Sequence, residues 1–553
     1  MIAIGFFWLA LATLALVNAS RSDSFPRHLS FDEIAGYAPD TQVTDHCAID
    51  LDQQAIELEL VKRTEQSLQA AGRIYMQGGS SKSYAEITLT TPLVSAVQKG
   101  TAMSGVTVDD VETVGKAYDN IPAGNTTVRM QYQTSDDQSN YVQCAVGALP
   151  TIARITAGCL IASGLINIGG IAYSYQYNPI SQNKNGRTIA GFSTSAKDKM
   201  RMSCDGCPYT DHEYFYEYYG VDDYGYQWVT AALNGQETQF ENGNADFSLY
   251  GLDGRIEAIK KGTVYLNIFM YVIREFEDAL DDCDRGCATD DCNHDPVNAW
   301  DEGVCFYTGS IEAQDGLTSE GKLLHQLADK RCADFKTCSK DGGETTGMAK
   351  LNYDLFQLYA IGKFQLQTNK CDNARVTVEQ IAQLMYVPFI QGTLRYAYKV
   401  SELNDTTEKS MAEGAVFAAA ILPKIFGVNE NHANVIYTNM RVGSLSTNFA
   451  KVKQAFEYTY PALGISCVDV GGLWNDDLGE YYKGAEPCVD EWDDLDEMGD
   501  VKVGLAVALG AAAGGLCLAC MLALCLGRTR RAKNMGDKSD RNLEATSDGI
   551  MSS

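Results

Sequence analysis

The sequence predicts a mainly α-helical, disulfide-stapled ectodomain with a smaller mixed α/β part at its N-terminus and one C-terminal transmembrane helix. Three observations predict it: uncharged apolar runs lie near both ends, 17 cysteines are spread over 553 residues, and apolar residues recur at helical spacing from about residue 205 onward. A chain of this length allows two or three domains.

Residues 1–19, MIAIGFFWLALATLALVNA, carry no charge and end in small residues, as a cleaved secretory signal does. Residues 20–200 form the mixed α/β region. Within it, 51–73 has good helix formers with Ile56, Leu58, Leu60 and Leu68 at apolar positions, while 84–91 and 126–133 alternate as strands. The apolar, Gly-rich stretch 141–176 fits buried strands or short helices, and the polar stretch 178–199 reads as a loop or junction.

Residues 201–475 read as a helical domain. Helices are expected over 211–233, 255–282, 296–308, 319–336, 348–367, 377–402, 407–425 and 447–463, with Pro388 kinking or interrupting the stretch 377–402. The acid-rich stretch 476–500 is expected to be a stalk. Residues 501–527 are long and apolar enough to cross a bilayer, and RTRRAK follows at once. Basic residues on that flank place the tail, 528–553, in the cytosol. The expected topology is therefore type I, at the plasma membrane or an endomembrane, with the N-terminal domain extracellular or lumenal.

The chain has 44 basic and 72 acidic side chains, a net charge of −28. A domain this acidic disfavours nucleic acid and anionic surfaces and favours cations and cationic partners; solubility alone also accounts for bulk charge. Of the cysteines, Cys517, Cys520 and Cys525 lie in the apolar run and 14 lie outside it, an even number in a compartment that permits disulfides. The groups Cys283/Cys287/Cys292 and Cys332/Cys338 suggest local staples, and Cys204/Cys207 a structural bridge rather than a redox motif. Asn125 and Asn404 open glycosylation sequons.

The sequence lacks HExxH, GxSxG, Walker A, dinucleotide-binding and EF-hand signatures, so no enzyme class is indicated. Hard oxygen donors beside aromatics are plentiful instead. The chain has 30 tyrosines, clustered most densely in YTDHEYFYEYYGVDDYGY (209–226); such a cluster on its own more often packs than binds. In HDPVNAWDEGVCFYTGS (294–310), Asp295-Pro296 signals a helix start. The helix that follows presents Asp301 and Glu302, with His294 just before it and Tyr307 in its last turn. The helix preceding it carries Glu275 and Asp278 on one stripe with Tyr271 and Asp282. If the two helices pack antiparallel, their acids face each other, as in bundle proteins that build iron sites. Ordinary ion pairs, Arg274 with Asp278 for instance, explain the same pattern. Arg395, within QGTLRYAYK, and Lys330-Arg331 are candidates to hold an anion.

Several long blocks occur in order: CPYTDHEYFYEYYGVDDYGYQWVTAAL, RIEAIKKGTVYLNIFMYVIREFEDALDDC, NAWDEGVCFYTGS, LADKRCADFKTC and VPFIQGTLRYAYK. Together they resemble the algal iron-assimilation proteins, the secreted or membrane-tethered proteins of green algae and diatoms related to the phytotransferrins. The resemblance is strongest from about 200 to 485. It implies surface binding of Fe(III) for cellular uptake, with carbonate as a synergistic anion, and a ferrireductase or the endocytic machinery as partner. The ligand set comes from the local reading: Glu275, Asp278, His294, Asp301, Glu302 and Tyr307 for the metal, Arg395 for carbonate. The rival expectation is a disulfide-rich adhesion or wall-associated protein without metal function.

Overall fold

The structure is a computed structural model and describes residues 33–41, 43–78, 80–106, 112–117, 120–132, 160–161, 163–176, 183–185, 187–286, 296–312, 315–444 and 446–490. The expected signal peptide, membrane span and tail lie outside these, as do His294, Cys287 and Cys292.

Residues up to Cys488 form one compact unit. It opens with helices α1 (Thr44–Cys47), α2 (Ile49–Leu60) and α3 (Glu65–Gln77). The single helix expected over 51–73 is broken at 61–64. Arg63 takes a left-handed φ of 53°, and Thr64 starts α3 with a reciprocal capping box to Ser67.

Seven antiparallel strands follow: β1 (Lys82–Leu89), β2 (Ala102–Val106), β3 (Glu112–Ala117), β4 (Thr127–Tyr132), β5 (Ser163–Ile168), β6 (Ile171–Gln176) and β7 (Asn183–Asn185). Their order is β4-β3-β2-β5-β6-β1-β7, and β4 also pairs with β1 in the register Ile87↔Val128. The first six strands thereby close into a small barrel, which removes their free edges. Ile87, Met103, Val128, Met130, Ile166 and Tyr175 fill it as a core of its own. The expected strands over 84–91 and 126–133 are both present, and 163–176 proves to be a hairpin rather than helix.

The helical body holds the second and larger core. It includes α1–α3, because Tyr37, Ile49, Ile56 and Leu68 pack with residues from 189 onward. The barrel is thus set into a helical fold, and the expected division at residue 200 does not follow the packing. Helix α4 (Ile189–Thr194) also occupies part of the expected loop 178–199. It is capped by the Thr188 side chain and buries Ile189 and Phe192.

Next come α5 (Thr210–Tyr219), α6 (Tyr224–Asn234), α7 (Leu252–Gly262) and α8 (Phe269–Arg285). Gly220 at φ 76° separates α5 from α6. A π-helical segment, Thr263–Ile268, joins α7 to α8. Gly225 lets α6 approach that segment; a Cβ there would lie 2.3 Å from the Leu266 carbonyl oxygen. The Tyr-rich stretch packs as its composition suggests: Tyr219 stacks on Tyr224 at 5.1 Å and donates to the Ala419 carbonyl at 2.8 Å.

Helix α9 (Pro296–Thr308) lies along α8. Phe276 meets Trp300 with ring centroids 4.7 Å apart. Gly303 permits the approach, since a Cβ would stand 2.8 Å from the Phe276 ring. Then follow α10 (Leu324–Phe335), α11 (Lys350–Gln367), α12 (Cys371–Met385), α13 (Val387–Ser401), α14 (Glu408–Val428), α15 (Glu430–Met440) and α16 (Phe449–Glu457), with two single-turn helices, Tyr460–Leu463 and Cys467–Val470, and a short antiparallel pair, Trp474–Asn475 with Glu480–Tyr481, after them. The helix expected over 377–402 is interrupted at Tyr386, two residues before Pro388. Helix α14 is long and apolar enough to cross a membrane by length and composition, yet 72% of its apolar window is buried inside the fold, as in a core helix.

Five disulfides join described residues: Cys47–Cys305, Cys204–Cys207, Cys283–Cys371, Cys332–Cys338 and Cys467–Cys488. Two of the expected local bridges are present, but Cys283 reaches across 88 residues to α12 instead of pairing nearby. The first part of the expected stalk packs on the helical body. Cys488 is tied to Cys467, Tyr482 packs on Tyr398 at 5.0 Å, and Ala485 is buried. The sequon residues Asn125 and Asn404 are both exposed.

Candidate functional site

Helices α8 and α9 pack along each other, and a guanidinium and the N-terminal segment occupy their acidic stripes. Arg274 holds Glu275 at 2.6 Å and Asp278 at 3.0 Å. Burial pushes Asp278 up to about 6 despite that cation. On α9, Glu302 pairs with Arg187 at 2.5 Å and with His46 Nδ1 at 3.0 Å, and accepts from Asn298 at 3.1 Å. Burial alone would raise its pKa; Arg187 and His46 overcome this and keep the carboxyl well below the usual carboxylate range.

Asp301 is wholly buried and serves the segment 37–41. Its Oδ1 accepts from the Tyr37 hydroxyl at 2.5 Å. Its Oδ2 accepts from the Asp40 and Thr41 amides, each at 2.9 Å, and from the Thr41 hydroxyl at 2.8 Å. Both oxygens are therefore engaged. Burial raises this carboxyl, and the bonds from Tyr37 and Thr41 oppose the rise. Lys363 backs the segment, 3.3 Å from Asp40 and 4.6 Å over the Tyr37 ring. Cys47–Cys305 fixes the same region one turn further along α9.

Tyr307 faces away from these acids, into a buried polar cluster that the sequence reading left unassembled. Its hydroxyl donates to Asn352 Oδ1 at 2.6 Å, and Asn352 Nδ2 donates to Asp329 Oδ1 at 2.8 Å and to the His325 carbonyl at 3.0 Å. His325 lies on α10 one turn before Asp329, and its ring stands 6.3 Å from that of Tyr307. His325 Nδ1 is 3.6 Å from Glu312 Oε1 and 3.7 Å from Asp329 Oδ2. These distances exceed hydrogen-bond length. Both His325 nitrogens and both Glu312 oxygens are buried without a hydrogen-bond partner. Among the described residues, no three His, Cys, Asp or Glu side chains already stand in an arrangement that holds a metal ion. The cluster around His325 offers the donor types, one imidazole and two carboxylates beside a phenol. The sequence signal for it was the i,i+4 pair His325/Asp329; nothing local marks Glu312.

Arg395 and Lys330-Arg331, far apart in sequence, line one cavity of about 240 Å³ with Tyr265, Tyr396 and Glu413. Arg395 also pairs with Asp334 at 2.9 Å. The segment 321–326 separates this cavity from the His325 cluster: Gly321 and Gln326 line the cavity, and a Cβ on Gly321 would lie 1.6 Å from Glu312 Oε1.

No family model, curated protein or solved structure matches the chain.

Proposed function

We propose that the protein binds ferric iron outside the cytoplasm for cellular uptake, and that Glu312, His325, Asp329 and Tyr307 hold the ion. The observation that carries this reading is the set of buried donor atoms around His325 that lack a hydrogen-bond partner and meet only at ion-pair distance. Leaving a buried polar atom unpaired costs ~1–3 kcal/mol, so a cluster of four needs an explanation. A cation among them supplies it: two carboxylates and a phenol are hard oxygen donors suited to Fe(III), and an imidazole completes a mixed set. The separations from Nδ1 are ones that a single ion can bridge: two bonds of ~2.1 Å meeting near ~120° span about 3.6 Å. Asp301, Glu302, Glu275 and Asp278 then serve as supports that fix α8, α9 and the N-terminal segment around the site.

Carbonate as a partner of the iron rests on the family resemblance alone, with Arg395 as its candidate. Binding must displace the phenolic proton of Tyr307, which burial, with Tyr359, Asp329 and Glu312 nearby, holds well above its ordinary value. Metal binding is therefore coupled to proton release, and acid favours iron release. The test is ferric titration of the full-length protein followed by visible absorption. The expected result is one equivalent of iron with a phenolate-to-iron band that disappears in Tyr307→Phe. Stoichiometric iron binding with no such band, or a band unchanged in Tyr307→Phe, would remove Tyr307 from the site. No binding with or without bicarbonate would overturn the reading.

A further inference from the structure

The cavity between α7, α10, α13 and α14 is cationic in a chain that is otherwise strongly acidic. Seven basic side chains and three carboxylates line it, against a net charge of −28 for the whole sequence. The carboxylates neutralise only part of this set. Glu57 is shared by Lys260 at 3.5 Å and Lys322 at 3.6 Å, and Glu257 stands 4.0 Å from Lys409. Asp334, behind the cavity, holds both Arg331 at 2.8 Å and Arg395 at 2.9 Å. Lys330 has no carboxylate within ion-pair distance among the described residues. Partial burial pulls its ammonium down to about 8, and Lys261, Lys322 and Lys260 add to the fall against the opposing pull of Glu57. Arg331 is buried, and its Nε has no hydrogen-bond partner.

The third carboxylate, Glu413, is only partly ionised at neutral pH. Burial pushes Glu413 up to about 7, and the neighbouring Glu257 adds to the rise against Lys261. The cavity is therefore a poor place for a bare cation and a good one for an anion.

From this clustering we propose that the cavity is a binding site for a small oxyanion carrying two or more negative charges, of the phosphate or polycarboxylate class. The size agrees: about 240 Å³ is below the ~300–1,000 Å³ of pockets for drug-sized ligands. Arg331 and Arg395 supply guanidinium donors suited to carboxylate or phosphate oxygens. The lysines of α7 and α10 supply the remaining charge. The cavity is separate from the His325 cluster and needs no iron, so the proposal stands or falls independently of the iron site, and it gives Arg395, the carbonate candidate, a larger oxyanion to hold.

The test is calorimetric titration of the full-length, iron-free protein with inorganic phosphate, with citrate and with bicarbonate, at low and at high salt. We expect saturable 1:1 binding of phosphate or citrate, at least tenfold tighter than bicarbonate, that weakens as salt is raised. The tighter of the two names the source, an inorganic or esterified phosphate in one case and a polycarboxylate in the other. Lys330→Glu, at a surface residue whose side chain lines the cavity, should weaken binding at least tenfold. Arg395→Ala should weaken it with an unchanged near-UV spectrum. Absence of saturable binding by both anions, equal binding of bicarbonate, or an unaltered affinity in Lys330→Glu would overturn the proposal.

Discussion

Replacing Asp301 by alanine should cost stability and leave iron binding intact. The carboxylate accepts four hydrogen bonds from Tyr37, Asp40 and Thr41, residues that lie about 260 positions away in sequence. Alanine removes every acceptor at once. The Tyr37 hydroxyl is buried and would be left unpaired, at a cost of ~1–3 kcal/mol. Asp40 and Thr41 are only partly buried, so water can replace part of their loss, at about half that cost each. The total is about 2–6 kcal/mol, which spans the range for breaking a buried charged network. Asp301→Asn keeps one acceptor oxygen and the shape, and should cost about 1–2 kcal/mol. Tyr37→Phe, which deletes one donor, should cost about 1 kcal/mol. Urea unfolding measures all three. Adding Fe(III) supplies the second half of the test. A ligand that binds only the folded state stabilises it by mass action, so the iron-induced gain should be the same in wild type and Asp301→Ala. A loss under about 1 kcal/mol, or an iron-induced gain that vanishes in Asp301→Ala, would refute the assignment of Asp301 to the N-terminal clasp.

Three further outcomes are expected. Asp50, Asp52, Glu277 and Glu413 are pushed up to about 7, and Asp278 to about 6, in each case chiefly by burial. The folded state therefore binds more protons than the unfolded chain between about pH 7 and pH 4, and stability should rise as pH falls through that window. Burial lowers the pKa of His212 and works the other way, so a melting temperature higher at pH 8 than at pH 5.5 would show that the carboxylates do not dominate. Replacing Cys47 and Cys305 by serine should cost ~2–5 kcal/mol, because the bridge closes a loop of 258 residues; thermal unfolding under non-reducing conditions checks this. Gly362→Ala should destabilise by ~1–3 kcal/mol despite alanine's better helix propensity, since its Cβ would lie 2.1 Å from the Trp300 ring; calorimetry that shows a gain instead would contradict the packing.

The sequence made the helices legible where one face carries the core. Residues 255–282 and 296–308 show it, since Phe269, Ile273, Phe276 and Leu280 recur at helical spacing and Asp295-Pro296 marks a start. The break before Pro388 was legible for a local reason, the missing amide and fixed φ of proline. The barrel was not, because closure of β1 on β4 depends on pairing that no local pattern encodes. The short helix α15 escaped as well; the Asn429 side chain caps its start, and the apolar run ahead of it masks the boundary, whereas α16 falls within the helix expected over 447–463.

The site divides the same way. Helices α8 and α9 pack along each other, but the partners of their acids, Arg274 and the returning segment 37–41 among them, were invisible to spacing. Arg395 and Lys330-Arg331 were each visible as cationic, and only the fold puts them in one cavity. Glu312 sits in the loop after α9, where nothing in the residues around it announces a partner on α10.

The most direct test of the central claim is iron stoichiometry by elemental analysis of the full-length protein after ferric loading and desalting. Wild type and Asp301→Asn should be compared with the double variant His325→Ala/Glu312→Gln, at equal folded fraction by near-UV circular dichroism. The account predicts one iron per chain in the first two and less than a tenth of that in the double variant. Full iron in the double variant, or its loss in a folded Asp301→Asn, would contradict it and return the metal to the stripes of α8 and α9.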